Sequence, residues 1–137
     1  HKPQKIVFTY HGIPKRNVEQ GDPYYLFCKE TTKLVAKELK LKSSQYITTF
    51  QSRFGPAEWL KPYTSEKMEE LPKKGIKNVL IIAPGFSADC LETIEEIDEE
   101  NKEIFMNSGG KYFTYVPCLN DTDRHVKVFT SIVKTNS

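Results

Sequence analysis

The sequence predicts an α/β protein of three layers, in which a parallel β-sheet carries helices on both faces. Strand-like and helix-like segments alternate four times along the chain, the pattern of parallel sheets with helical crossovers. Residues 78–83, NVLIIA, form an unbroken apolar run, typical of a strand buried on both faces. The length of 137 residues suits a single domain over residues 1–137, with a hydrophobic core of its own.

Each predicted strand is rich in β-branched and aromatic residues and ends at a glycine, a proline or a polar break. The strands cover residues 6–10, 46–50, 78–83 and 112–116. The helices show apolar residues at intervals of three and four, and they cover residues 24–39, 64–74, 89–107 and a last segment that begins after 121–123. Pro72 lies late in the second helix and is expected to shorten or distort it. The polar segment 15–20 is predicted to be a loop.

Composition narrows the functional class. The 20 Lys and Arg residues nearly balance the 18 Asp and Glu residues, so a dedicated nucleic-acid binder is not indicated. No apolar run is long enough to span a bilayer and no signal peptide is visible, which predicts a cytoplasmic or peripheral protein. The glycine-rich motifs of nucleotide binding and the GxSxG motif of hydrolases do not occur.

The cysteines and the start of the chain carry two further expectations. Cys28, Cys90 and Cys118 are too few for an iron–sulfur cluster held by four cysteines and form no disulfide framework. All three are expected to be reduced, and at least two to be core residues. The chain opens at His1 without a methionine and enters a strand within five residues, which indicates a piece of a longer protein.

Functional groups of an open parallel sheet lie beyond the carboxyl ends of its strands. This rule selects residues 11–14, 51–53, 84–87 with the following helix start, and 117–120. A single histidine is more often structural than functional, but His11 sits at a strand end against Gly12, where a core histidine is less expected. An imidazole there could act as a base near neutral pH or as a metal ligand.

Acidic residues crowd the third predicted helix, and two interpretations stay open. Its apolar stripe and a nearly opposite acidic row are formed by Leu91, Ile94, Ile97 and Ile104, and by Glu92, Glu96, Glu99 and Glu103. In one interpretation the acidic row is a solvated face, with Asp89 and Glu92 paired as in a capping box. In the other, Glu92 and Glu96 line a polar cleft, where they bind a metal or move protons. The pattern alone favours the first.

Five segments together resemble one known family. They read TYHGIP, GDPY, TFQSRFGPAEWLKPYT, PGFSADCLETIEEI and GGKYFTYVPCLN, at residues 9–14, 21–24, 49–64, 84–97 and 109–120. In this order they resemble the C-terminal domain of ferrochelatase of the Gram-negative bacterial type, the enzyme that inserts ferrous iron into protoporphyrin IX in the last step of haem synthesis. The resemblance implies two similar α/β domains with the porphyrin cleft between them, of which this chain lacks the N-terminal one.

The resemblance also implies roles for individual residues. His11 matches the family's active-site histidine, which either accepts a pyrrole proton or holds the entering metal. Glu92 matches the essential glutamate on the facing side of the porphyrin, and Glu96 the next acid of a chain that leads outward. Asp89 falls in the same stretch. Many members have a second histidine where this chain has Cys90, so this chain has no imidazole for a metal relay there.

Ser52 and Arg53 could position a propionate, although Arg53 suits a structural ion pair equally well. Five apolar or aromatic side chains near the strand ends could line the porphyrin cleft or simply belong to the core, namely Tyr10, Ile13, Phe54, Trp59 and Phe86. The implied substrates are protoporphyrin IX and Fe²⁺, with no resident cofactor and no iron–sulfur cluster. A hydrophobic substrate and product make peripheral contact with the inner membrane plausible.

Two alternatives to the ferrochelatase interpretation remain. One is a cobalt-type chelatase of the same architecture that acts on a less oxidised tetrapyrrole. The other is a porphyrin- or haem-binding domain without catalytic activity. The presence of both His11 and Glu92 speaks against the second alternative, because binding alone would not need them.

Overall fold

A single parallel sheet forms the centre of the molecule. The computed structural model describes residues 2–136, and within them four strands run as β1 Lys5–His11, β2 Tyr46–Gln51, β3 Asn78–Ile82 and β4 Tyr112–Val116. Their order across the sheet is β2-β1-β3-β4, and every neighbouring pair is parallel. The chain leaves β1 toward one edge and returns to build the other, so the topological switch point lies at the carboxyl ends of β1 and β3.

Helices cover both faces of this sheet. They are α1 Lys15–Glu19, α2 Tyr24–Glu38, α3 Thr64–Lys73, α4 Leu91–Thr93, α5 Lys102–Asn107 and α6 Asp123–Asn136. A 3₁₀ turn covers Ser43–Gln45, and a π-helical segment, Ile94–Asn101, joins α4 to α5. Among the described residues, no helix combines the length and the apolar character needed to cross a membrane.

Two hydrophobic clusters lie between the sheet and the helices, one on each face of the sheet. Side chains of β1 contribute alternately to both clusters. Val7 packs with Met68 of α3 and Phe105 of α5 on one face. Phe8, its neighbour in sequence, packs with Cys28 of α2 on the other face. Successive side chains of a strand point to opposite faces, so the predicted three-layer α/β fold is confirmed.

The prediction of a plain loop over residues 15–20 is wrong. This segment contains the short helix α1, Lys15–Glu19. At five residues it is shorter than two helical turns, and Val18 alone packs partly against a hydrophobic cluster. Such a helix leaves no periodic apolar pattern to find in the sequence.

The helix predicted over residues 89–107 begins later, at Leu91, and is not a regular α-helix. Its π-helical part is closed by a side chain as well as by the backbone, because the buried Asn101 donates from Nδ2 to the carbonyl oxygen of Glu96 at 2.6 Å. The predicted apolar stripe is therefore only partly a core face. Ile97 is fully buried, whereas Leu91 and Ile94 remain 68% and 49% exposed.

Candidate active site

His11 is the last residue of β1 and is half-buried. Its Nδ1 lies 2.7 Å from the carbonyl oxygen of Gly12. A carbonyl can only accept, so Nδ1 carries the hydrogen of the neutral ring, and the lone pair is on Nε2. The imidazole lies beside the indole of Trp59, with 6.2 Å between the ring centroids. His11 thus presents Nε2 as the atom that can take a proton or bind a metal.

Gly12 brings the ends of β1 and β2 together next to this histidine. Its N–H donates to the carbonyl oxygen of Gln51 at 2.8 Å. A Cβ atom at this position would lie 2.9 Å from that same oxygen and 3.0 Å from the Trp59 ring. Only glycine permits this close approach of two strand ends and an indole.

Gln51, at the end of β2, connects the sheet to the helix that carries the acidic residues. Its side chain is buried and accepts from the Thr9 hydroxyl at 2.9 Å. Its Nε2 donates to the backbone oxygen of Glu92 at 2.8 Å and toward the Glu96 carboxylate at 3.4 Å. No role was predicted for Gln51, because its partners lie more than forty residues away in the sequence.

Glu96 is anchored by Ser52. One carboxylate oxygen accepts from the Ser52 N–H at 2.6 Å, and the other accepts from the Ser52 hydroxyl at 2.5 Å. Ser52 has a φ of 63°, in the left-handed region that residues other than glycine rarely adopt. The two bonds to Glu96 hold it there, so the structure joins two of the predicted supporting residues.

Glu92 lies in α4 and is half-buried. Its pKa is lowered, first because the Cys90 thiol donates a hydrogen bond to the carboxylate, and next by its own backbone N–H. The positive charge of a protonated His11 lowers this pKa further. His11 and Glu92 are therefore electrostatic neighbours, and the Glu92 carboxylate stays ionised below the ordinary pKa of a glutamate.

Asp89 serves to tie this helix to the loop that follows β4. Its Oδ1 accepts from the Tyr115 hydroxyl at 2.7 Å, from the Thr93 hydroxyl at 3.0 Å and from the Cys118 N–H at 3.3 Å. These donors and Asn120 hold the pKa of Asp89 far below its usual range, with the Tyr115 bond the largest cause. Asp89 therefore stays ionised as a structural anchor.

The predicted capping pair of Asp89 and Glu92 is wrong. Cys90 is the N-cap residue, and its N–H donates to the Thr93 hydroxyl at 2.9 Å while its carbonyl oxygen accepts from the Thr93 N–H at 3.1 Å. The cap lies one residue later than predicted because the Asp89 carboxylate is engaged by β4 and its loop.

Replacing Tyr115 with phenylalanine tests this anchor. The variant loses a hydrogen bond to a charged group, so we expect the free energy of unfolding at pH 7 to fall by about 1–2 kcal/mol. The lost bond depresses the pKa of Asp89 in the folded state, so the difference is full above the ordinary value of 3.8 and shrinks as the pH falls below it. Urea titrations at a series of pH values measure it, with Tyr46→Phe as control. A difference that does not depend on pH would contradict this account.

An open cleft of about 450 Å³ extends from these residues, and its lining includes Ser52, Arg53, Phe54, Leu91 and Glu92. Phe54 is 83% exposed. The Arg53 guanidinium lies over the Tyr63 ring, 4.5 Å from its centroid, and among residues 2–136 it has no carboxylate at ion-pair distance. The cleft combines the exposed apolar side chains of Phe54 and Leu91 with one cation and four carboxylates, those of Glu92, Glu95, Glu96 and Glu100.

The other candidate lining residues lie elsewhere. Tyr10 belongs to the core, where its hydroxyl pairs with Thr32 at 3.0 Å. Ile13 and Phe86 pack partly against the two hydrophobic clusters. Trp59 lies beside the imidazole of His11 rather than in the cleft wall. Phe54 is therefore the clearest aromatic surface of the cleft.

The cysteines and the metal-ligating side chains form no ready-made metal centre. Nowhere between residues 2 and 136 do three or more His, Cys, Asp or Glu side chains come together as a ligand set. Cys28, Cys90 and Cys118 are unpaired thiols. The expectation that at least two of them are core residues is wrong, because Cys28 is buried while Cys90 and Cys118 are only half-buried beside Asp89 and Glu92.

Comparison with known proteins supports one family. The sequence profile described as Ferrochelatase matches residues 1–137. Ferrochelatase 2 of Shewanella oneidensis is 54% identical over 97% of this chain, and Ferrochelatase of Marinobacter nauticus is 53% identical over 97%. The chain spans 41% and 36% of the length of these two relatives.

A solved structure supports the fold. A protein named for cobalamin (vitamin B12) biosynthesis, CbiX from Marinobacter aquaeolei, superposes with a TM-score of 0.60 at 12% identity, over 98% of this chain and 97% of its own. At this identity the likeness concerns the fold alone. The full-length profile match and the curated relatives carry the assignment: this chain belongs to the ferrochelatase family.

Proposed function

We propose that the protein containing this chain inserts ferrous iron into protoporphyrin IX, and that this chain supplies the His11 and Glu92 side of the reaction. The observation that carries the proposal is the pairing of an imidazole whose lone pair is on Nε2 with an ionised carboxylate. The two are electrostatic neighbours at the switch point of the sheet. The cleft beside them offers apolar surface for a macrocycle.

The chemistry requires bases of this kind. Free-base porphyrin carries two N–H protons, which leave as the divalent metal enters, while the metal sheds its water. A neutral imidazole and a carboxylate can each accept a proton and can each ligate ferrous iron. The iron is a substrate and keeps its oxidation state, so the proposed reaction needs no resident cofactor.

The wall of the cleft that Arg53, Phe54 and Leu91 form suits a flat apolar ring with an acidic substituent. Phe54 and Leu91 are largely exposed at its wall, and the face of a bound macrocycle would cover both side chains. Arg53 stands in the same wall and can pair with a propionate. Ser52, the other candidate for that role, has its hydroxyl engaged by Glu96, so a propionate would have to share or displace that bond.

The proposal is tested by measuring metal insertion with the complete protein that contains this chain. Zinc or ferrous iron is added to protoporphyrin, and the product is followed by fluorescence and absorbance. Insertion with Michaelis–Menten kinetics supports a ferrochelatase. Faster turnover of sirohydrochlorin with cobalt in a competition assay would instead support the cobalt-type chelatase. Tight porphyrin binding without any metallation would leave a binding domain.

We also propose that α6 docks against the part of the protein that lies outside this chain, the N-terminal domain of a longer enzyme. The chain spans about two fifths of its relatives' length, so the relatives contain a further part against which α6 can pack. The α6 helix shows one apolar side whose members are half or more exposed, namely Val126, Phe129, Ile132 and Val133. Four apolar side chains exposed along one side of a helix are typical of an interaction surface.

A charge on that face tests the docking. In the complete protein, Phe129→Asp should lower the free energy of unfolding by about 2 kcal/mol or more, because a docked carboxylate loses its hydration. Lys127→Asp on the same helix is the matched control and should change it little. Urea denaturation measures both. Equal stability of the two variants would contradict the docking, and loss of binding to anionic vesicles in Phe129→Asp would identify a membrane surface instead.

The proposed location is the cytoplasm, with peripheral contact to the inner membrane. Protoporphyrin and haem are hydrophobic and partition into lipid, so exchange of substrate and product is easier at a membrane surface. The basic residues Arg124 and Lys127 on α6 would favour an anionic surface. Vesicle flotation of the complete protein, with and without anionic lipid, measures this contact.

A further inference from the structure

We infer that Asn120, in the loop after β4, is a positioning residue that fixes the start of the Glu92 helix by clamping Asp89. The inference rests on the proposed function, since its consequence is a rate of metal insertion. Nothing in the sequence motifs assigns a role to this asparagine, which is exposed. Its contacts nevertheless engage every polar atom that it has.

The side chain of Asn120 forms a reciprocal pair with Asp89. Its Nδ2 donates to Oδ2 of the Asp89 carboxylate at 2.8 Å. Its Oδ1 accepts from the backbone N–H of the same residue at 2.9 Å. The Asn120 amide therefore binds Asp89 through two hydrogen bonds, which fix the orientation of Asp89 as well as its distance from Asn120.

The backbone of Asn120 is held at both of its polar atoms. Its N–H donates to the carbonyl oxygen of Ser87 at 3.0 Å. Its carbonyl oxygen lies 2.6 Å from Nδ1 of His125, so this imidazole donates to it. His125 is 7% exposed and comes from α6. Asn120 thus ties three segments together: the loop before α4, the loop after β4, and α6.

The backbone conformation of Asn120 points to the same role. Its φ is 49°, in the left-handed region, which asparagine tolerates better than most residues and which costs free energy. Asparagine alone offers that tolerance together with a donor and an acceptor on one side chain. The strained backbone and the four hydrogen bonds of Asn120 together indicate that this residue holds the loop in one conformation.

The clamp reaches the reacting groups through a short covalent path. Asp89 accepts from the Thr93 hydroxyl of α4 at 3.0 Å and precedes the N-cap residue Cys90. Glu92 lies two residues beyond the cap. A shift of Asp89 would therefore move the Glu92 carboxylate relative to His11, and small displacements of a reacting group have large effects on rate.

Variants that break and then restore the hydrogen bonds between Asn120 and Asp89 test whether Asn120 acts by positioning Asp89. In Asn120→Asp a second carboxylate faces Asp89 and the donor is lost, so we expect kcat for metal insertion to fall at least about tenfold, with KM for porphyrin changed less than about threefold. The double variant Asp89→Asn with Asn120→Asp restores each bond with the partners exchanged, because an amide oxygen can accept from Tyr115, Thr93 and Cys118. It should return kcat to within about threefold of the wild type.

Two further variants keep the test decisive. Asn120→Gly retains the left-handed backbone and both backbone bonds but lacks the clamp, and it should lower kcat about as much as Asn120→Asp. Asn107→Asp, at the exposed end of α5, adds the same charge outside the clamp and should leave kcat unchanged. A double variant as slow as Asn120→Asp, or an Asn120→Gly variant with wild-type kcat, would overturn the inference.

Amide hydrogen exchange judges the clamp independently of activity. The Asp89 N–H loses its acceptor in Asn120→Gly, so peptides that cover residues 87–93 of the complete protein should exchange faster than in the wild type. If the wild-type protein inserts no metal, the proposed function fails, and faster exchange in this segment still supports the clamp. Unchanged exchange in Asn120→Gly overturns it.

Discussion

Replacing His11 with alanine should lower kcat for metal insertion about a thousandfold in the complete protein, while porphyrin binding stays within about threefold. The Nδ1 hydrogen bond to Gly12 leaves the lone pair on Nε2, and alanine has no group that can replace it. General acid–base groups typically contribute rate factors of this order. Stopped-flow fluorescence of zinc insertion, together with a fluorescence titration of porphyrin binding, measures both quantities.

The same variant separates the two roles left open for His11. A proton acceptor affects kcat, and added imidazole should restore part of the rate because the lost side chain leaves space at the strand end. A first metal ligand affects chiefly the KM for the metal. A His11→Ala enzyme that keeps both kcat and the KM for the metal to within about tenfold would remove His11 from the reaction altogether.

The second large effect is expected for Glu92→Gln, which should lower kcat about a hundredfold. Glutamine keeps the size of glutamate and an oxygen that accepts hydrogen bonds, but it cannot accept a proton or neutralise a cation. The pKa of Glu92 lies below its usual range because of the Cys90 thiol, its own N–H and the His11 charge, so the wild-type carboxylate is ionised throughout the neutral range.

Glu103→Gln is the matched control for this prediction. Glu103 belongs to the same long helical region, is exposed and lies outside the cleft lining. Its substitution should leave kcat within about twofold of the wild type. If Glu92→Gln and Glu103→Gln gave the same rate, Glu92 would belong to the solvated face that the pattern alone favours.

Strand positions and the functional edge could be predicted because each depends on local pattern. Runs such as 78–83 carry their own signal of burial, and parallel strands place the residues after them at one edge. That rule predicts that His11, Ser52 and the start of the Glu92 helix lie at the same edge. The structure places all three there.

What could not be predicted depends on partners distant in the sequence. The bond between Gln51 and Glu92 spans 41 residues and the one between Asp89 and Asn120 spans 31, and neither residue type announces its partner. The π-helical segment was hidden for a related reason. Its sequence fits α-helical spacing well, and the bond from Asn101 that closes the wider turn has no periodic signature.

The strand order has a consequence for how the protein acquires its active form. The contacts that build the site join residues 41 to 44 positions apart, across the middle of the β2-β1-β3-β4 sheet. Closing loops of that length is slow relative to forming local helices. Neither half of the chain can assemble the His11 and Glu92 pair alone, so the proposed porphyrin binding should appear during refolding only after β2, β1 and the Glu92 helix have come together.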